Sequence, residues 1–224
     1  AKVFCNRNIR FIHEHVRDFP KHQKPFIVLR VSKGVLSSVA LFLRFFLLFR
    51  EVSMASILYE PSVTIFASTD ASSKAGGFVC GNMYYAYDFA KEPNCTGRSH
   101  LEMHINLQEA HAVIMMLYNC RHMLTGRKIC LFIDNQACMA SVIRAWSSSH
   151  ALRDFVMEIS LLMMYFCVDI RLEYIQSEFN TFADVLSRDG KDAFLEIADL
   201  YQIDMVEAKD VAYYDHLNFM NAPL

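Results

Sequence analysis

The chain has 224 residues, enough for one domain of ordinary size, an extra segment and a sizeable core. Hydrophobic residues make up 54%, with 18 Phe and 12 Met, which excludes a disordered chain. The net charge of −2 hides an asymmetry: residues 1–60 carry ten Lys and Arg against four Asp and Glu, and the remainder carries twelve against twenty. A basic segment beside an acidic body fits a polyanion-binding arm next to a metal-binding carboxylate cluster, though +6 over 60 residues is also ordinary surface charge. The seven Cys are scattered singly, without a Cys-x-x-Cys pair, which points to reduced thiols and an intracellular location. The chain begins at Ala1 in mid-pattern and is read as a piece of something longer.

Residues 1–30 alternate basic and apolar positions, and a helix is expected to end before Pro20. Ser32–Arg50 is apolar almost all round and reads as a buried helix. A membrane span is the rival, but the uninterrupted run is too short and Arg44 lies inside it, so no membrane partner is expected. Pro61 marks a boundary, giving a basic helical extension over 1–60.

Val63–Ala71 is β-rich and delivers Asp70 near its end. Gly76–Gly81 and Met83–Phe89 follow closely enough for a three-strand antiparallel meander. Lys91–His104 is a polar loop, and Asn106–Met123 has apolar residues at helical spacing. Lys128–Asp134 is an apolar run of buried-strand length. Gln136–Trp146 reads as a helix, Ser147–Ser149 as a turn and cap, and Leu152–Phe166 as a long apolar-faced helix. Val168–Gln176 alternates as a fifth strand, and Thr181–Arg188 starts another helix. A tail over 191–224 is helical at first. The order β-β-β-α-β-α-α-β-α implies an α/β fold: a mixed five-stranded sheet with helices on both faces, over 61–190.

Four acids map to one edge of that sheet. Asp70 and Asp134 end predicted strands, and Glu109 and Asp184 lie in first turns of helices that start at the same edge. Carboxylates gathered this way repel unless cations neutralise them, and oxygen-only donors suit Mg²⁺ or Mn²⁺. Each acid also has a structural reading. Asn106-x-x-Glu109 has capping-box spacing. Asp184 suits a helix dipole. Asp70-Ala and Asp134-Asn suit strand-ending turns.

Other patterns point nowhere further. Cys95, His100, His104 and His111 lack the spacing of a zinc site. Ser147 to His150 lacks an accompanying oxyanion-hole motif. No glycine-rich phosphate loop is present.

The segments Ser68-Thr-Asp-Ala-Ser72, Ile105-Asn-Leu-Gln-Glu109, Phe132-Ile-Asp-Asn-Gln136 and Asn180-Thr-Phe-Ala-Asp-Val-Leu-Ser-Arg188 resemble, in that order, the ribonuclease H domain of retroelement reverse transcriptases. The last is similar to the form in DIRS-like, gypsy-like and pararetroviral elements. The resemblance implies a ribonuclease H-like fold and cleavage of the RNA strand of RNA–DNA hybrids with two Mg²⁺ ions, for which Mn²⁺ can substitute. It implies that Asp70, Glu109, Asp134 and Asp184 are the metal-binding and catalytic acids. It implies that Ser72, Asn106 and Gln136 contact nucleic acid, the last two in the minor groove where 2′-hydroxyls are displayed. A linked reverse-transcriptase polymerase is the implied partner, with residues 1–60 somewhat like the end of a polymerase thumb or connection region. The sequence departs from the family in having no His between Gln176 and Thr181 and no basic handle around Ala145–His150. Two other readings stay open: a nuclease of the same fold acting on DNA, of transposase or resolvase type, and an inactive domesticated binding module.

Overall fold

The computed structural model describes residues 64–89 and 103–208, all within the second of the two units into which the chain divides, 53–223. The expected basic helical extension over 1–60 lies outside the described residues, as does the end of the tail beyond 208. The strands are β1 (Thr64–Ala71), β2 (Ala75–Cys80), β3 (Met83–Asp88), β4 (Lys128–Ile133), β5 (Asp169–Tyr174) and β6 (Val206–Glu207). The helices are α1 (Ile105–Asn119), α2 (Arg121–Leu124), α3 (Gln136–Arg144), α4 (His150–Tyr165), α5 (Thr181–Arg188) and α6 (Lys191–Leu200).

The fold is mixed α/β. The strands lie in the order β5-β4-β1-β2-β3-β6. The meander β1-β2-β3 is antiparallel, and β1-β4, β4-β5 and β3-β6 are parallel. Parallel neighbours need helical crossovers, and α1 and the α3-α4 pair supply them. This is the arrangement the ribonuclease H resemblance implies, with one strand more than the five expected. The sixth is only two exposed residues, too short to show periodicity in sequence.

Alternation along β3 feeds two cores. Tyr85 and Tyr87 join Phe78, Ile114, Leu117, Phe155 and Ile159 on the α1–α4 face. Tyr84 and Ala86 join Leu186, Phe194 and Ala198 on the α5–α6 face. Each large side chain buried this way contributes about 1.5–3 kcal/mol.

Helix starts follow local chemistry. Asn135 Oδ1 accepts from the Cys138 N–H at 2.9 Å and Ser149 Oγ from the Leu152 N–H at 3.4 Å, so α4 starts two residues earlier than its apolar pattern suggests. At α1 the cap is His104, whose Nδ1 accepts from the Asn106 N–H at 3.2 Å. This displaces the capping-box reading of Asn106 and Glu109. The expected helix to Met123 is two helices. The Cys120 N–H bonds back to Met116 and Tyr118, which closes α1 before α2 begins. Among the described residues no helix is long and apolar enough to cross a membrane.

Gly77 explains how α5 reaches the sheet edge. It is the β2 partner of Asp70. A Cβ there would meet Leu186 Cβ at 2.5 Å and the Ser187 backbone N at 3.2 Å. The missing side chain lets α5 lie directly on β2. Gly77→Ala should therefore lift α5, costing about 1–3 kcal/mol in urea unfolding. An unchanged unfolding midpoint would contradict this packing.

Candidate metal centre and cleft

The strand register places the first two acids. Thr69 lies opposite Ile133, so the next residues, Asp70 and Asp134, emerge side by side at the carboxyl edge. Helix α1 starts at that edge and brings Glu109 in its second turn. One carboxylate oxygen from each of Asp70, Glu109 and Asp134 lies within 4.8 Å of the others. Among the described residues no other group of His, Cys, Asp and Glu is so placed. The three open into a cleft of about 550 Å³, also lined by Ser73, Gln136 and Arg188.

Two of the three acids are deeply buried. Asp70 is 2% exposed and Glu109 is 3% exposed. Burial pushes the Asp70 carboxyl above its usual value, the charges of Asp134 and Asp184 add to this, and the Ser187 hydroxyl offsets part of it by donating to Asp70 Oδ2. Glu109 is pushed further, to about 9, first by burial and then by Asp70 and Asp134. A hydrogen bond from the Ala71 backbone and the charge of Arg188 only partly counter this. Glu109 Oε2 is buried without a hydrogen-bond partner. A buried acceptor left unpaired costs roughly 1–3 kcal/mol, more when charged. An oxygen-only donor set with an orphaned carboxylate oxygen fits a divalent cation.

Asp134 is half-buried and accepts at Oδ2 from the Ser177 hydroxyl at 2.7 Å. Ser177 lies in the single turn Ser177–Phe179, within the stretch where the resemblance would place a His. Asp184 stands apart from the trio. Its Oδ1 accepts from Arg188 Nε at 2.5 Å, although its charge still reaches Asp70. The structure thus brings three of the four expected acids together and holds the fourth one helical turn from Arg188.

The expected nucleic-acid contacts divide. Gln136 is exposed on the rim of the cleft. Asn106 Oδ1 accepts from Asn135 Nδ2 at 2.9 Å, which ties α1 to the turn after Asp134. Ser72 lines the cleft and also holds the turn beside it. Its hydroxyl donates to the Ser187 carbonyl at 2.8 Å and accepts from the Ala75 N–H at 3.1 Å, stapling the β1–β2 turn to α5.

Four residues near the site were given no role by sequence: Ser177, Asn180, Ser187 and Arg188. Asn180 is 2% exposed, and its Nδ2 donates to the Thr69 carbonyl at 3.1 Å, next to Asp70. Three of the four fall in the Asn180–Arg188 segment, so the signal was present without a partner to interpret it.

No protein-family model matches the chain, and no curated protein matches it. Solved structures do. The chain is similar to an RNase H1 from the halophilic archaeon Halobacterium salinarum, at 18% identity and a TM-score of 0.45, over 58% of this chain and 99% of that one. It is similar to an N-terminal RNase H domain from Mycobacterium tuberculosis, at 19% identity and a TM-score of 0.42, over 61% and 99%. A foamy viral protease-reverse transcriptase in complex with an RNA/DNA hybrid matches 81% of this chain with 26% of its own, at 11% identity and a TM-score of 0.37. At these identities and scores the reading of the site rests on its own geometry.

The raised Glu109 value makes a pH prediction. Its ordinary value is 4.5, so between 4.5 and about 9 the folded protein binds more protons there than the unfolded chain. In chelator, this group's effect is absent below 4.5 and lowers stability progressively as pH rises to about 9. The loss at neutral pH is on the order of 3 kcal/mol. Glu109→Gln should flatten that slope and melt above wild type at pH 8 in chelator. A variant with the wild-type slope would contradict this placement of Glu109.

Proposed function

We propose that this domain is a divalent-cation-dependent nuclease that hydrolyses the RNA strand of RNA–DNA hybrids. The observation that carries the reading is the trio Asp70, Glu109 and Asp134, crowded within 4.8 Å at the carboxyl edge of the sheet, with a buried orphaned oxygen and an open cleft in front. Structural acids need no such convergence. The capping role that would account for Glu109 alone is filled by His104.

A pair of bound Mg²⁺ or Mn²⁺ ions supplies water activation and stabilisation of the leaving oxygen of a phosphodiester. The chain's own residues prepare the site for them. Ser187 fixes one oxygen of Asp70, and Ser177 fixes one oxygen of Asp134. Each carboxylate is left with its other oxygen to offer. Glu109 would contribute Oε2 from α1, and Asp184, whose charge is felt at Asp70, would be the fourth acid from α5. The carboxylates hold ions and do not act as nucleophiles.

Hybrid specificity is supported by Gln136 on the rim and by the resemblance of the four segments. Asn106 supports it less directly, because its side chain is tied to Asn135. The Asn180–Arg188 segment further supports a place within a retroelement reverse transcriptase. There residues 1–60, with their charge of +6, would join the polymerase.

The test is cleavage of a labelled RNA–DNA hybrid in Mg²⁺ or Mn²⁺, beside duplex DNA and duplex RNA. Only the RNA strand of the hybrid should be cut, and Asp134→Asn should reduce the rate at least about a hundredfold while the domain stays folded. Cutting of duplex DNA instead would replace this reading with a DNA nuclease of the same fold. No cutting, with no cation-dependent rise in melting temperature, would leave a binding module.

A further inference from the structure

Among the described residues that line the cleft, Arg188 is the one Lys or Arg. Its Nε donates to Asp184 Oδ1 at 2.5 Å, with side chains 58% and 29% exposed. An ion pair this exposed, at i and i+4 on one helix, adds little to folding stability. A helix staple is therefore a weak reason for an arginine here. Only Nε is engaged: among the described residues no hydrogen bond takes up either Nη nitrogen. A guanidinium offers five donors in a planar fork matched to phosphate. The Arg188 charge also offsets the repulsion felt by Asp70 and Glu109. It thus does in part, from the rim, what cations would do from within. An arriving cation competes with it for Asp184, and an arriving strand brings phosphates.

We propose that Arg188 exchanges partners. Without cations it holds Asp184. In the loaded site it yields Asp184 to the cation cluster and takes a phosphate of the bound strand through its free nitrogens. This rests on the hydrolase reading above. It makes Arg188 both a positioning residue for Asp184 and a contact for the substrate backbone, and no bond is made or broken in the exchange.

The test uses the full chain with two readouts besides cleavage. One is the Mg²⁺ concentration at half-maximal rise in melting temperature, without nucleic acid. The other is the salt dependence of binding a fluorescent RNA–DNA hybrid in Ca²⁺. In Arg188→Ala the Mg²⁺ midpoint should fall several-fold, because Asp184 is no longer contested. The slope of log affinity against log salt should lose about one unit, with roughly tenfold weaker binding near 0.1 M salt. Arg188→Lys should keep the slope, since its charge remains, and bind more weakly, since the fork is gone. A lower melting temperature with wild-type midpoint and slope would reduce Arg188 to a helix staple and overturn the exchange. If the alanine variant does not fold, Arg188→Gln must show the same two changes, and a glutamine variant equal to wild type in both overturns the proposal. Wild type with no cation-dependent melting shift fails the hydrolase reading and the exchange with it. Wild type with both responses, unchanged by alanine, overturns the exchange alone.

Discussion

Three carboxylates share a space too small for three negative charges, and two of them have almost no water to screen them. At a few ångströms in a poorly screened setting, each pair of charges repels by several kcal/mol. A fold can accept this in two ways: by keeping protons on the acids or by taking up cations. Glu109, pushed up to about 9, follows the first way in the protein alone. Cation binding is the second, and it would convert an electrostatic cost of folding into affinity for the ions. The burial of Glu109 sharpens that constraint, and the donor hydroxyls on Asp70 and Asp134 relieve part of it.

The scaffold imposes the constraint through backbone register. Parallel pairing of β1 with β4 sets Asp70 beside Asp134, and no side chain has to reach for the other. The glycine at position 77 lets α5 settle on β2, where Ser187 meets Asp70 and Ser72 meets the α5 backbone. Asn180 ties the start of α5 to Thr69. Helix α5 is thus held at both ends against the strand that carries Asp70. The last acid, Asp184, sits between those two anchors. Its position is fixed by the backbone, and its carboxylate is paired with Arg188.

Much of this was legible in the sequence, for local reasons. Strand-length apolar runs ending in Asp70 and Asp134 give both their class and their edge. Helical spacing from Asn106 onward gives α1, and Thr181–Arg188 matches α5 as written. What was missed depends on partners far along the chain. Ser187 meets Asp70 across 117 residues, Asn180 meets Thr69 across 111 and Ser177 meets Asp134 across 43. No local period encodes such contacts. Glu109 was ambiguous because a capping box and a ligand have the same spacing, and only the His104 cap separates them. Ser72 lines the cleft, and the bond from its hydroxyl to the Ser187 carbonyl in α5 spans 115 residues. The short β6 carries no pattern of its own and exists only because β3 offers an edge.

The measurement that bears most directly on the central claim is the location of a cation. Crystals grown with Mn²⁺ and measured at its absorption edge would show the ion by anomalous scattering. The account predicts anomalous density within coordination distance of Asp70, Glu109 and Asp134 oxygens, including Glu109 Oε2. A well-ordered cleft with no anomalous density at saturating Mn²⁺, and Glu109 still unpaired, would contradict it.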